Sequence, residues 1–62
     1  MKIDEIIVGT PIVYWAIIKE DGRKFAPFES IIISKPWKLP SGEIVCNIAN
    51  KSGCVAISHL TK

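Results

Sequence analysis

The sequence predicts an all-β fold, a small antiparallel barrel of about five strands. Three observations point to it. Runs of β-branched and aromatic residues are short, turn residues separate them at regular spacing, and no apolar repeat of three to four residues is long enough for an α-helix. The chain has 62 residues, room for one domain spanning 1–62, and a chain of that size buries only ~60% of the surface its unfolded form exposes.

Ile3 to Val8 is expected to be a short first strand, stopped at Gly9-Thr10-Pro11, where proline removes a ladder donor. Ile12 to Ile18 is apolar on both faces, with Ile12, Tyr14, Ala16 and Ile18 on one and Val13, Trp15 and Ile17 on the other. One face fills the core, and the other needs a neighbouring strand, a loop or a second copy of the chain to cover it. Lys19 to Lys24 is a polar reversal in which Asp21-Gly22 signals a hairpin. Phe25 to Ser34 resumes strand composition, and Pro27 puts its first part at an edge or a bend. Lys35 to Gly42, KPWKLPSG, reads as a loop. There Trp37 either folds inward to cap the barrel or forms an aromatic contact point between Lys35 and Lys38, with Leu39 beside it.

Gly42 to Leu60 is the best-defined stretch, two strands folded back across Asn50-Lys51-Ser52-Gly53. Val55 and Ile57 alternate with Ala56 and Ser58 on its second arm. A single tight turn at Ser58-His59-Leu60 then brings Leu60 into the core. If Asn50 faces Cys54, then Cys46 faces Ser58. The two cysteines are then ~13 Å apart along the strand, beyond the ~7 Å Cα limit of a disulfide. Two free, buried thiols are the expectation, which suits a reducing compartment.

Composition bounds the partners. The chain is 48% hydrophobic and 23% charged. A domain of this size cannot hide so much apolar surface, so a homo-oligomer is expected. The net charge of +2 is spread in mixed sign, and the basic candidates for nucleic-acid contact are Lys19, Arg23, Lys24 and Lys51, with Lys35 and Lys38 in the proline-rich loop. The longest uncharged run, Ile6 to Ile18, falls short of the ~20 residues of a membrane-spanning helix. Acidic Asp4 and Glu5 stand where a secretory signal would be basic, so a soluble cytoplasmic protein without membrane partners is expected.

No catalytic, cofactor or metal motif stands out. Cys46, Cys54 and His59 lack the close cysteine pair and the fourth ligand of a zinc site, and the acidic residues form no pair for acid–base work. Tyr14, Trp15, Phe25, Phe28 and Trp37 would make a stacking platform only if several shared one exposed face, and alternation sets Tyr14 and Trp15 on opposite faces.

Ser52-Gly53-Cys54-Val55-Ala56-Ile57-Ser58-His59-Leu60 resembles the end of SH3-like barrels, where a glycine opens a strand, a one-turn 3₁₀ segment follows and a hydrophobic residue begins the closing strand. Val8-Gly9-Thr10-Pro11-Ile12-Val13 is similar to the entry of KOW-type modules, and Pro36-Trp37-Lys38-Leu39 before Gly42-Glu43 to short uncharacterised bacterial or phage proteins. The resemblance implies an SH3-like barrel. It does not imply proline-rich peptide binding, because the tandem tryptophans and the tyrosines of that site have no counterpart here. The function expected is that of a non-enzymatic protein-interaction or self-assembly module using Trp37, Lys35, Lys38, Leu39 and an apolar strand face. The alternative is a weak, sequence-indifferent nucleic-acid binder using Lys19, Arg23, Lys24 and Lys51.

Overall fold

The computed structural model describes residues 1–62. The strands are β1 (Pro11–Ile18), β2 (Lys24–Ile31), β3 (Trp37–Lys38), β4 (Ile44–Cys46), β5 (Val55–Ala56) and β6 (Leu60–Thr61). They form two three-stranded antiparallel sheets, ordered β2-β1-β6 and β3-β4-β5. A one-turn 3₁₀ segment, Ile57–His59, carries the chain from the second sheet back to the first.

The sheets do not close into a barrel, which corrects the expected SH3-like or KOW-type fold. The physical reason lies in strand length. β3, β5 and β6 have two residues each, too few ladder bonds to carry β3 round to β2 or β5 round to β6 and complete a cylinder. The sheets meet at one corner, an antiparallel bridge between Ile32 and Ile48.

The core is a cluster of Ile6, Ile12, Ile32, Cys46, Ile48, Val55, Ile57 and Leu60, with Met1, Tyr14 and Ile44 packed against it. Leu60 lies in it as the sequence suggests. The N-terminal ammonium of Met1 donates to the carbonyls of Ile57 and Leu60 at 3.2 and 3.1 Å, tying the start of the chain to the last turn.

Ile3 to Val8 forms no strand. Ile3–Glu5 is a 3₁₀ turn, because Glu5 reaches back to accept the Lys2 N–H at 2.8 Å and gives that donor a local partner in place of a ladder. Lys62 lies 3.4 Å from the other carboxylate oxygen. Only Ile6 of this stretch reaches the core, leaving Ile3, Ile7 and Val8 exposed.

β1 and β2 form the long hairpin read from Asp21-Gly22. Lys19 and Arg23 close the turn through an N–H···O bond of 2.8 Å, and Gly22 takes the positive φ of 88° that the reversal needs. The register runs from Pro11 opposite Ile31 to Ile18 opposite Lys24. The Ile32 N–H and carbonyl face β1's side, bonding Thr10 and Gly9 at 3.0 and 2.7 Å. Alternation then turns the backbone groups of Phe25, Pro27 and Glu29 to the free edge of β2, where the missing proline N–H costs no ladder bond.

The final hairpin is wider than the sequence suggests. Cys46 faces Val55 and Val45 faces Ala56, whereas the turn reading sets Cys46 against Ser58. Pairing stops there because the next residues are taken by the first sheet: Ile33 N–H bonds the Asn47 carbonyl and Ala49 N–H bonds the Ile31 carbonyl, both at 3.0 Å.

Ala26 holds φ at 57° inside β2, a left-handed conformation that costs a residue bearing a Cβ about 1–2 kcal/mol. Ala26→Gly should therefore raise the unfolding free energy by about 0.5–1 kcal/mol after glycine's own entropy cost is set against that relief, read as a higher urea midpoint with unchanged slope. The hydrogen bond from the Lys2 backbone, aided by Lys62, holds the Glu5 carboxyl below its usual value against an opposing desolvation. Its stabilisation is present above the unfolded carboxylate value, about pH 4, and is lost as pH falls through the lower folded one. Glu5→Gln should flatten that part of the stability-versus-pH curve, measured by urea midpoints from neutral to acid pH.

Candidate functional site

Alternation along β1 gives its sheet two different faces. Ile12 and Tyr14 point to the core side, while Val13, Trp15 and Ile17 point outward. Directly opposite them on β2 stand Glu29, Pro27 and Phe25, and side chains directly opposite share a face. The outer face thus carries Pro11–Ile31, Val13–Glu29, Trp15–Pro27 and Ile17–Phe25 as successive cross-strand pairs. Ile17 and Phe25 are 48% and 42% exposed, an apolar pair about half open to solvent. Arg23 lies over the Phe25 ring at 5.9 Å.

Trp15 is held in place by its indole N–H, which donates to the Thr61 hydroxyl at 2.9 Å. At the opposite end of the same strands an open cleft of about 450 Å³ is lined by Pro11, Ile12, Val13, Glu29, Ser30 and Lys62. Glu29 forms no ion pair; the two the chain has are Arg23–Asp21 at 2.7 Å and Lys62–Glu5 at 3.4 Å.

The basic residues do not gather. Lys19 and Arg23 share the hairpin turn with Glu20 and Asp21, and Arg23 is already paired with Asp21. Lys24 stands at the start of β2 opposite Ile18. Lys51 lies over the Tyr14 ring at 5.4 Å. Lys35 and Lys38 are exposed beside the other sheet.

Trp37 does not cap the core. It pairs with Val45 in β3 and is 39% exposed, so the proline-rich stretch that the sequence reads as loop contributes a short strand. Leu39 is half-buried, and its N–H donates to the Glu43 carbonyl at 2.8 Å.

His59 stacks on Tyr14 with ring centroids 6.0 Å apart. Its Nδ1 sits 2.7 Å from the Trp15 carbonyl, which only accepts, so Nδ1 carries the proton. His59 is thereby committed to holding the last turn against β1. Cys46, Cys54 and His59 do not come together as ligands: no group of three or more His, Cys, Asp or Glu side chains is arranged to hold a metal ion. Both thiols are free, Cys46 buried and Cys54 exposed, where the sequence suggests two buried ones. Burial, and then the neighbouring Cys54, pushes the Cys46 thiol above its usual value.

The sequence places Ile17 on a face that needs cover and Phe25 among candidate stacking aromatics, but it passes over their pairing and over Glu29 and Lys62 as parts of a site. Alternation in β1 exposes Ile17 as a candidate, but its pairing with Phe25 emerges only from the register. Comparison with protein-family models, curated proteins and solved structures returns no match to this chain. No helix is long and apolar enough to cross a membrane.

The different settings of the two thiols set their reactivity, because the thiolate is the attacking species and requires access. A thiol reagent such as dithionitrobenzoate should label Cys54 quickly and Cys46 only as fast as the protein opens, giving one rapid equivalent in native buffer and two in denaturant. Equal rapid labelling of both would contradict the burial of Cys46.

Proposed function

We propose that the protein is a small non-enzymatic interaction module that works by self-assembly. The observation that carries this reading is the distribution of its apolar side chains. Nine large hydrophobic residues are exposed, as many as the residues that are buried. Single exposed apolar residues are ordinary on soluble proteins, whereas a contiguous patch marks a contact surface. Ile17, Phe25 and Ile31 lie on the outer face of β1 and β2, Phe28 on the other face opposite Tyr14, and Ile33 just beyond, so five of the nine are gathered around one hairpin.

Burying a side chain of this kind is worth about 1.5–3 kcal/mol, a large gain for a chain with so small a core. Trp37, flanked by Lys35 and Lys38, offers a second contact point for a protein partner. The two free thiols suit a reducing cytoplasm. The scattered basic residues, with Arg23 paired to Asp21, give less support to nucleic-acid binding, which favours a clustered basic surface.

The solution mass decides between these readings. Light scattering over a dilution series, at low and high salt and with a short mixed oligonucleotide, should give a mass above that of the monomer that falls on dilution and ignores the oligonucleotide. A monomer that gains mass only with oligonucleotide at low salt would overturn the assembly reading, because phosphate contacts weaken steeply with salt.

A further inference from the structure

We infer that the outer face of the β2-β1-β6 sheet docks onto the same face of a second copy of this chain, with the Ile17–Phe25 pair of each copy seated beside Val13 and Glu29 of the other. The inference rests on the self-assembly reading and assigns its surface and symmetry.

The face has two unlike ends. One carries the protruding apolar pair Ile17 and Phe25, with Arg23 over the phenyl ring at 5.9 Å. The other carries the open cleft of about 450 Å³ beside Val13 and Glu29. Trp15 and Pro27 stand opposite each other midway, two residues from Ile17–Phe25 and two from Val13–Glu29. A two-fold axis lying in the interface and crossing the strands at Trp15 and Pro27 therefore exchanges the ends. It sets Ile17 over the partner copy's Val13 and Phe25 over its Glu29. A surface whose protruding pair and whose near wall of the hollow, Val13–Glu29, stand two residues either side of one point fits itself, which is what an isologous contact requires.

Charge agrees with shape. Glu29 has no ion-pair partner within its own chain, and the turn that the axis brings toward it carries Lys19, Arg23 and Lys24 against Glu20 and Asp21, a net excess of one positive charge, with Arg23 shared between its own Asp21 and the approaching Glu29. Opposite charges at such a rim steer and register the encounter.

Pairing through the free edge of β2 is the competing way for two copies to join, and the sequence obstructs it. Pro27 has no N–H to give, Ala26 breaks the extended backbone at φ 57°, and Lys24 and Glu29 bracket the edge with charge. These features block strand addition in natural sheets. The edge is closed to a second copy while the face is open.

The area sets the strength. Two eight-residue strands and the two-residue β6, rising about 3.3 Å per residue at about 4.8 Å spacing, give a face on the order of 300 Å² per copy. That is below the size of standard specific interfaces and marks a weak, transient contact, so dissociation constants on the order of hundreds of micromolar are expected.

Sedimentation equilibrium from about 1 μM to about 1 mM brackets that range. The wild-type chain should pass from monomer to dimer. Ile17→Lys and Phe25→Lys should each weaken the dimer by about 10-fold or more, with the far-ultraviolet circular dichroism unchanged, because both side chains are exposed in the monomer. Arg23→Glu and Glu29→Arg should each weaken it several-fold, and the two together should recover most of the loss, the signature of direct coupling between them. Assembly that persists in Ile17→Lys and Phe25→Lys and shows no recovery in the double charge reversal would overturn this face while leaving self-assembly standing. A monomer throughout the range would overturn both.

Discussion

The structure depends on the corner where Ile32 and Ile48 meet. Both side chains are completely buried, and their backbones meet in an antiparallel bridge. Ile32 uses its own N–H and carbonyl on Thr10 and Gly9, while its neighbours Ile31 and Ile33 turn the other way to Ala49 and Asn47. One three-residue segment thus hydrogen-bonds to the first sheet on one side and to the approach of the second on the other. Hydroxyls complete the junction: Ser30 Oγ donates to the Ala49 carbonyl at 2.7 Å, and the Asn47 N–H donates to Ser34 Oγ at 2.9 Å. Buried backbone groups that lost these partners would each cost about 1–3 kcal/mol, so the corner fixes how the two sheets face each other.

A single corner also explains why so much apolar surface stays outside. The core lies between sheets joined at one side, and the connection back from the second sheet to the first is the short Ile57–His59 turn. That turn is secured by His59 on the Trp15 carbonyl and by the Met1 ammonium on Ile57 and Leu60. Nothing crosses the outer face of β1 and β2. Trp15 is half-covered because Thr61 reaches its indole, but Ile17 and Phe25 lie beyond the end of the two-residue β6 and remain open. The shortness of β6 therefore both prevents closure of a barrel and leaves the Ile17–Phe25 pair open.

Features set by neighbouring residues were legible in the sequence, and features set by distant ones were not. Asp21-Gly22 specifies its turn by local chemistry, Pro27 is excluded from a central ladder by its missing donor, and Leu60 follows a turn that delivers it inward. The register of the last hairpin follows a different logic. Asn50 to Gly53 reads as the centre of a tight reversal, and Gly53 does take a positive φ of 78°. Yet the strand before it is drawn off to Ile32, sixteen positions earlier, so cross-strand pairing resumes only at Cys46 and Val55. That shift leaves Cys54 exposed and defeats arithmetic based on the turn alone. Likewise Ile3 to Val8 has the composition of a strand, but a single carboxylate at Glu5 satisfies the Lys2 N–H and the chain coils instead.

The same contrast holds for the candidate surface. Apolar residues on both faces of β1 announce in the sequence that something must cover the second face, while the identity of the cover depends on register. Only pairing with β2 brings Phe25 beside Ile17 and Glu29 beside Val13. The Ala26 backbone and Pro27 then take on a shared meaning. A left-handed alanine at the centre of an edge strand weakens that strand as a unit of the monomer, and a chain with few buried residues has little stability to spare. Both features act against strand addition at the edge without touching the outward row Val13, Trp15 and Ile17 on β1. Their position is accounted for if the molecule needs its face free and its edge protected, which is the arrangement that lets a sheet assemble to a defined stop instead of growing strand by strand.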